Sequence, residues 1–483
     1  MTGEDTEGVV RRDRFSGGPA RSFLSSLSAD RRIFAADIAV DRAHVVMLAE
    51  CGIIGSEVAG EILEALDGIE DASHGALPEG EDVHEAIETA VIERVGEEGG
   101  RMHTARSRND EVATCIRYRL REDVLEALEA TLDLREALRT VAREYVGTTM
   151  PGYTHLQPAQ PITVAHWALS YEQAVSRDTE RLLDAYGRVN RSPLGAAAFA
   201  GTTFDVDRER VANLLGFDSV LENSMDAASS RDFLLETTAA LSALATTLSG
   251  LAEDLVVFAS RGFVEVDDDY ASTSSIMPQK KNPDSLELVR AVAGDAAGGV
   301  SGLATTLKGL PRAYNIDLQR ATPHAWETVD AVGEATTVAA GAVATADWNE
   351  EVLAAEAGAG FSTATGVADL LAAEGLPFRT AHEMVAVAAE NGADYDALDA
   401  ASREVLGESL ESYVEPAAVE AALDPAESVA SRDSLGGPAP QAVEASLEAS
   451  ADGLAADRER VAERREAIEA ARVALGEEVA GYV

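Results

Sequence analysis

Between Ser107 and Tyr145, apolar residues return mostly every third or fourth position: Val112, Ile116, Leu120, Val124, Leu128, Leu134, Leu138, Val141 and Tyr145, with charged side chains between them. Spacing near 3.6 puts these residues on one face of an α-helix. At about 1.5 Å per residue the helix exceeds roughly 50 Å, longer than the core of a small domain needs. Similar runs occupy 226–258, 284–307 and 322–346. Four elements of this length predict a bundle, and such helices bury both sides, within a chain or between subunits. Strand signals are scarce. The expected fold is all-α and oligomeric.

The flanks are more broken. Residues 1–22 are polar and contain glycine, so irregular chain is expected there. A cap at Ser28-Ala29-Asp30 opens a helix through Ile33, Phe34, Ile38, Val45 and Leu48 that stops at Gly52. Further helices are expected over 56–66, ending at Gly68, and over 82–95, closed by Gly96. After Gly358 the elements shorten, and a charged amphipathic helix over 452–478 closes the chain. This pattern divides the chain into an N-terminal helical domain (1–107), a long-helix bundle (108–357) and a small C-terminal helical domain (358–483).

Composition narrows the function. The 483 residues include 85 acidic and 39 basic ones, for a net charge of −46. That excess argues against nucleic acid and anionic membranes as partners, since both need a basic surface. A charge this large repels itself in dilute buffer and becomes tolerable where salt shortens the Debye length to about 3 Å, near 1 M. The expected setting is a salt-rich cytoplasm. Cys51 and Cys115 are the only cysteines, too few for a disulfide framework or a cysteine-based zinc site. No apolar leader and no run of about 18 apolar residues is evident. HExxH, GxSxG, P-loop and dinucleotide-binding patterns are absent.

Four polar segments interrupt the helices. Residues 272–287, STSSIMPQKKNPDSLE, hold two of the chain's three lysines, and Pro278 and Pro283 make them a loop feeding a helix near Asp284. His103–Asp110, HTARSRND, reads equally as a helix N-cap and as a carboxylate site built from Arg106, Arg108 and free amides. In Pro151–Pro161, PGYTHLQPAQP, three prolines hold a polar turn around one histidine, a residue more often structural than catalytic. Tyr314–Gln319, YNIDLQ, is by itself a polar helix entry.

Together these segments resemble the fumarase/aspartase superfamily, and within it the argininosuccinate lyase family. The loop Ser274–Pro283 matches the superfamily's SSxMPxKxNP signature, and its QKKNPDSLEL continuation resembles the argininosuccinate-cleaving branch. NSMDAASSRDF (Asn223–Phe233), LPFRTAHE (Leu376–Glu383) and ESVASRDSLGG (Glu427–Gly437) extend the likeness from about Phe23 to Gly437. The resemblance implies reversible cleavage of argininosuccinate to fumarate and arginine, without metal or organic cofactor. It implies three helical domains, a bundle shared by four subunits, and active sites that each draw on three chains. Ser274 then matches the base, Lys280 the charge facing the carbanion, His155 the catalytic histidine (acid, base or relay) and Glu287 its carboxylate partner. Ser26, Arg108, Asn109, Thr154, Asn282, Tyr314 and Gln319 match substrate anchors. Two positions depart from the family: Thr273 replaces a glycine, and Thr322 replaces a substrate-holding lysine, with Arg320 nearby as a source of charge. The intact Ser274, His155, Lys280 and Glu287 speak against a non-catalytic relative.

Overall fold

The computed structural model describes residues 20–483, and among them helices dominate. The N-terminal part packs α1 (Phe34–Glu50), α2 (Ser56–Ala72) and α3 (Val83–Val95) around Ile38, Val45, Ile62, Leu66, Val83 and Ile87. Then α4 (Arg108–Glu144) starts at a capping box. The Ser107 Oγ accepts from the Asn109 amide at 3.3 Å, and the Asp110 carboxylate accepts from the Ser107 amide at 3.0 Å. Strands β1 (Thr149–Thr154) and β2 (Gln157–Thr163) form a hairpin that leads into α5 (Val164–Val189). Three more long helices, α6 (Asp232–Arg261), α7 (Asp284–Leu307) and α8 (Thr322–Ala344), complete the bundle with α4 and α5. Its core includes Leu120, Leu128, Leu138, Leu182, Leu241, Leu248, Leu303 and Val332. By length and composition α6 is apolar enough to cross a membrane, yet Leu241, Leu244, Leu248 and Leu251 sit inside this cluster.

A small third cluster, with Val367, Leu371, Met384, Leu398 and Val419, gathers the short helices that follow Gly358. The chain then returns to the bundle in α9 (Pro440–Ala480). Leu454, Val461, Ile468 and Leu475 recur every seven residues, a narrow seam of the kind that lies along a neighbouring helix. The first three belong to the bundle core, while Leu475 and Val479 belong to the N-terminal cluster.

Several local expectations change. Of the irregular stretch expected over 1–22, residues 1–19 lie outside the described residues and Ala20–Leu24 is a short helix. Helix α2 runs on through Gly68 to Ala72, and on that turn Arg94 donates to the carbonyls of Ala65 (2.8 Å) and Gly68 (3.3 Å). The run 226–258 is broken at Ser230-Arg231 into Ser224–Ser229 and α6. The expected turn over 151–161 is the β1–β2 hairpin, which tolerates its prolines because a two-stranded ribbon has only edges. Gly152 is required in it, since a Cβ there would lie 2.6 Å from the Gln160 carbonyl oxygen. The last helix begins at Pro440, not 452, and α5 is absent from the expectations although Val164, Ala168, Val175, Leu182, Tyr186 and Val189 keep a helical period.

Candidate active site

A cavity of about 540 Å³ opens between the segment before α1, the start of α4 and the entry to α8. Five of the expected substrate anchors line it: Ser26, Arg108, Asn109, Tyr314 and Gln319. Four of the five are fixed from behind. The Ser26 hydroxyl donates to Asp30 at 2.7 Å, and Asp30 also accepts from the Val83 amide at the head of α3. Gln319 donates to the Leu24 carbonyl at 3.0 Å and Asn109 to the Ala198 carbonyl at 3.2 Å. Arg108 donates to Asp82 at 2.9 Å. Burial pulls the Arg108 pKa down, but the carboxylates of Asp82 and Glu85 outweigh it and hold it above its ordinary value. Thr322 and Arg320 also line the cavity, Arg320 from an exposed position.

Arg106 departs from the expectation that it shares a carboxylate site with Arg108. Its guanidinium points into the protein, with a short ion pair to Asp41 and a second to Glu111 at 3.0 Å. Asp37, Asp41, His44, His84, Glu111 and Cys115 form a buried network around it. His84 Nδ1 lies 2.8 Å from Asp37 and 3.7 Å from Glu111. Burial opposes its charge, yet those carboxylates win and raise its pKa well above the usual imidazole value. His44 goes the other way: burial, helped by the Arg106 charge, lowers it to about 3. The sets Asp37/His84/Cys115 and Asp37/Asp41/Glu111 have metal-ligand spacing. A further cation does not suit them, because the Arg106 guanidinium and the His84 imidazolium already occupy the space between these carboxylates as their partners. Asp30, Asp82 and His84 had no spacing signal in the sequence; only the fold brings them to the cavity wall.

The remaining expected residues lie elsewhere. Ser274, Lys280 and Asn282 sit on a loop closed by a minimal antiparallel pairing, Ser272 with Asn282 and Thr273 with Lys281. Thr273, where the family has glycine, is thus an extended residue of that pairing, a conformation a β-branched side chain favours. Ser274 Oγ accepts from the amides of Met277 (3.1 Å) and Ile276 (3.4 Å). The loop's base is tied down by Lys281, paired with Asp268 at 2.7 Å and Glu265 at 3.1 Å. Lys280 is exposed and makes no ion pair among the described residues. Glu287 is exposed on the first turn of α7. Thr154 and His155 are exposed at the hairpin tip, where His155 (φ 56°) and Leu156 (φ 58°) both adopt left-handed backbone. None of these six lines the cavity, and no hydrogen bond or ion pair joins His155 to Glu287 among the described residues.

The chain matches the family described as "Lyase" over residues 20–298 and that described as "Argininosuccinate lyase C-terminal" over 361–430. It is 70% identical over 470 residues to an argininosuccinate lyase of Natronomonas pharaonis, covering 97% of this chain and 96% of the relative. It is 68% identical over 483 residues to that of Haloarcula marismortui, covering 99% and 97%. Among solved structures it superimposes on an EDDS lyase in complex with formate, with TM-score 0.86, 32% identity and 96% of each chain covered. The fold is shared with a class II fumarase from Schistosoma mansoni at TM-score 0.71 and 16% identity, over 82% of this chain and 90% of that one.

Proposed function

The chain belongs to the argininosuccinate lyase family, and from that premise we propose how its separated groups of residues divide the work. The reaction is the reversible elimination of argininosuccinate to fumarate and L-arginine, a carbon–nitrogen bond cleavage that serves arginine biosynthesis. Its difficulty is a proton on the carbon next to a carboxylate. Removing it forms a carbanion that survives only as an aci-carboxylate dianion, which needs positive charge and fixed donors.

In our reading the cavity residues Ser26, Arg108, Asn109, Tyr314 and Gln319 bind substrate, with Thr154 and Asn282 brought to them from outside. Ser274 takes the proton. A serine hydroxyl is a weak base unless its alkoxide is stabilised, and two backbone amides already point at its Oγ. Lys280, free of any carboxylate, supplies charge to the dianion once the loop closes and water leaves. His155, oriented by Glu287, hands a proton to the departing guanidino nitrogen, a step typically worth about 10²–10⁴-fold.

One observation carries this arrangement: the cavity of a single chain holds five of the seven expected anchors but none of the expected acid–base groups. A site completed by neighbouring subunits resolves that, and we propose a homotetramer. Two features support it. Helix α6 is strongly apolar, yet only 44% of its most apolar window is buried within the chain. On α7, Leu288 is 69% exposed, and Gly294 and Gly298 have nothing within 4 Å of where a Cβ would stand. Such open small-residue positions let a second helix approach closely. The proposed division is an N-terminal domain to residue 107, a bundle over 108–357 carrying α9 on its flank, and the short helices after 358 as a third unit. The acidic composition supports a salt-rich cytoplasm as the working environment.

The test is direct. Purified protein in molar KCl is given argininosuccinate, and fumarate is followed by ultraviolet absorbance; silence there sinks the functional reading. Mixing an inactive Ser274→Ala assembly with an inactive Arg108→Met assembly, after dissociation and reassociation, restores part of the activity if sites are shared. No recovery refutes the sharing.

A further inference from the structure

Arg231 stands at the break between Ser224–Ser229 and α6, 3% exposed, and lines the cavity beside Tyr314 and Arg108. Its one hydrogen bond among the described residues runs from Nη1 to the adjacent Ser230 carbonyl at 2.9 Å, and its Nε, fully buried, has no partner. No carboxylate pairs with it among the described residues. Other buried arginines are treated differently. Arg106 and Arg135 each hold two carboxylates. Arg117 and Arg121 lack a carboxylate, but Arg117 reaches three acceptors and packs over Phe233, while Arg121 reaches two and packs over Tyr118 and Phe217. Neither of those two lines the cavity.

A desolvated guanidinium with one acceptor is unfavourable, and in a chain with 85 acidic residues a partner was easily supplied. Burial lowers the Arg231 pKa to about 10, with the Tyr314 hydroxyl the one group that offsets it. The other cations of the cavity are committed or remote: Arg108 to Asp82, His84 to Asp37, and Arg320 at an exposed position. Thr322 on the same wall carries no charge.

We propose that Arg231 is a substrate-binding residue whose guanidinium receives a carboxylate of argininosuccinate in this cavity. The proposal rests on the functional reading above and adds to it a binding cation that has no carboxylate partner among the described residues of the chain. Arginine suits the task, because its planar fork takes a carboxylate with two parallel hydrogen bonds, which lysine cannot match.

The test uses Arg231→Met and Arg231→Lys in the full-length assembly at high salt. A charge-assisted hydrogen bond is worth about 1.5–3 kcal/mol, so Arg231→Met should raise KM for argininosuccinate by about 10–100-fold, with kcat much less affected. Arg231→Lys should fall between. The thermal midpoint of ligand-free Arg231→Met should be no lower than that of the unmodified protein, since an unpaired buried cation has been removed. Product inhibition identifies the carboxylate: weaker inhibition by fumarate assigns the succinate half, weaker inhibition by arginine the amino-acid half. An unchanged KM in either folded variant overturns the proposal. So does a raised KM that comes with a lower midpoint and is not partly restored by lysine, which marks a structural role. If Arg231→Met fails to fold, the KM of Arg231→Lys decides. Absence of turnover in the unmodified protein would sink the functional reading itself, a separate failure.

Discussion

Replacing Arg106 by methionine removes the central cation of the buried network while keeping most of its volume. The guanidinium is 2% exposed, its partners Asp41 and Glu111 are 1% and 2% exposed, and the Glu111 contact is 3.0 Å. At an effective dielectric of about 20, one charge pair at that distance is worth roughly 5 kcal/mol, part of which is offset by the desolvation of both ions. Removing one member of such a set costs about 3–5 kcal/mol, because Asp37, Asp41 and Glu111 are left with His84 alone. The assay is urea unfolding at about 1 M and about 3 M KCl, where surface pairs are screened and buried ones are not.

The loss should be the same in both salts and should shrink as pH falls from about 8 to 6. Burial already raises the pKa values of Asp41 and Glu111 above their unfolded values, against the opposing pull of Arg106. A group with a raised folded pKa stabilises the native state below that value and loses the contribution as pH rises through it. Without Arg106 that window moves upward, and each proton the native state alone takes up returns up to about 1.4 kcal/mol per pH unit. A loss below about 1 kcal/mol, a pH-independent loss, or one that halves between the two salts would refute this account.

Ser274→Ala should abolish turnover while sedimentation and circular dichroism stay unchanged; retained activity would move the base elsewhere. Stability should fall as pH drops from about 6.5 to about 3, since His44 resists protonation in the folded state and accepts it when unfolded. His44→Gln should flatten that acid limb in urea titrations, and equal slopes would exclude His44 as its cause. Dialysis to low salt should dissociate the assembly through self-repulsion of its −46 charge per chain; an unchanged sedimentation coefficient counts against that.

What the sequence made legible follows from where the physics is local. Helix α4 was readable because Ser107 and Asp110 cap it and its apolar residues keep one period. The start of α7 was readable because Pro283 ends the loop before it. The hairpin was not, because its prolines mimic a loop and the ribbon is held by backbone pairing with no alternating pattern. The start of α9 was obscured because its seam is only one residue in seven wide, amid charges. The expected anchors were named through their motifs, and the fold brings five of the seven to one cavity. Asp30 was legible only as a helix cap, Asp82 only as a helix start and Arg231 only as part of a motif, because their place on the cavity wall is a matter of burial and pairing, which residue types alone do not reveal.

The docking of α9 fixes the order in which the molecule can be finished. Arg135 of α4 is sealed in the core by Glu172, 37 residues on, and by Asp457, which follows 322 residues later. At synthesis rates of about 5–20 residues per second, roughly 15–60 s separate the emergence of the two ends of that contact. Throughout that interval the α4 face awaiting Leu454, Val461 and Ile468 remains uncovered. The bundle of one chain is therefore complete only once α9 has emerged, and any pause in synthesis before Leu454 leaves that apolar face open.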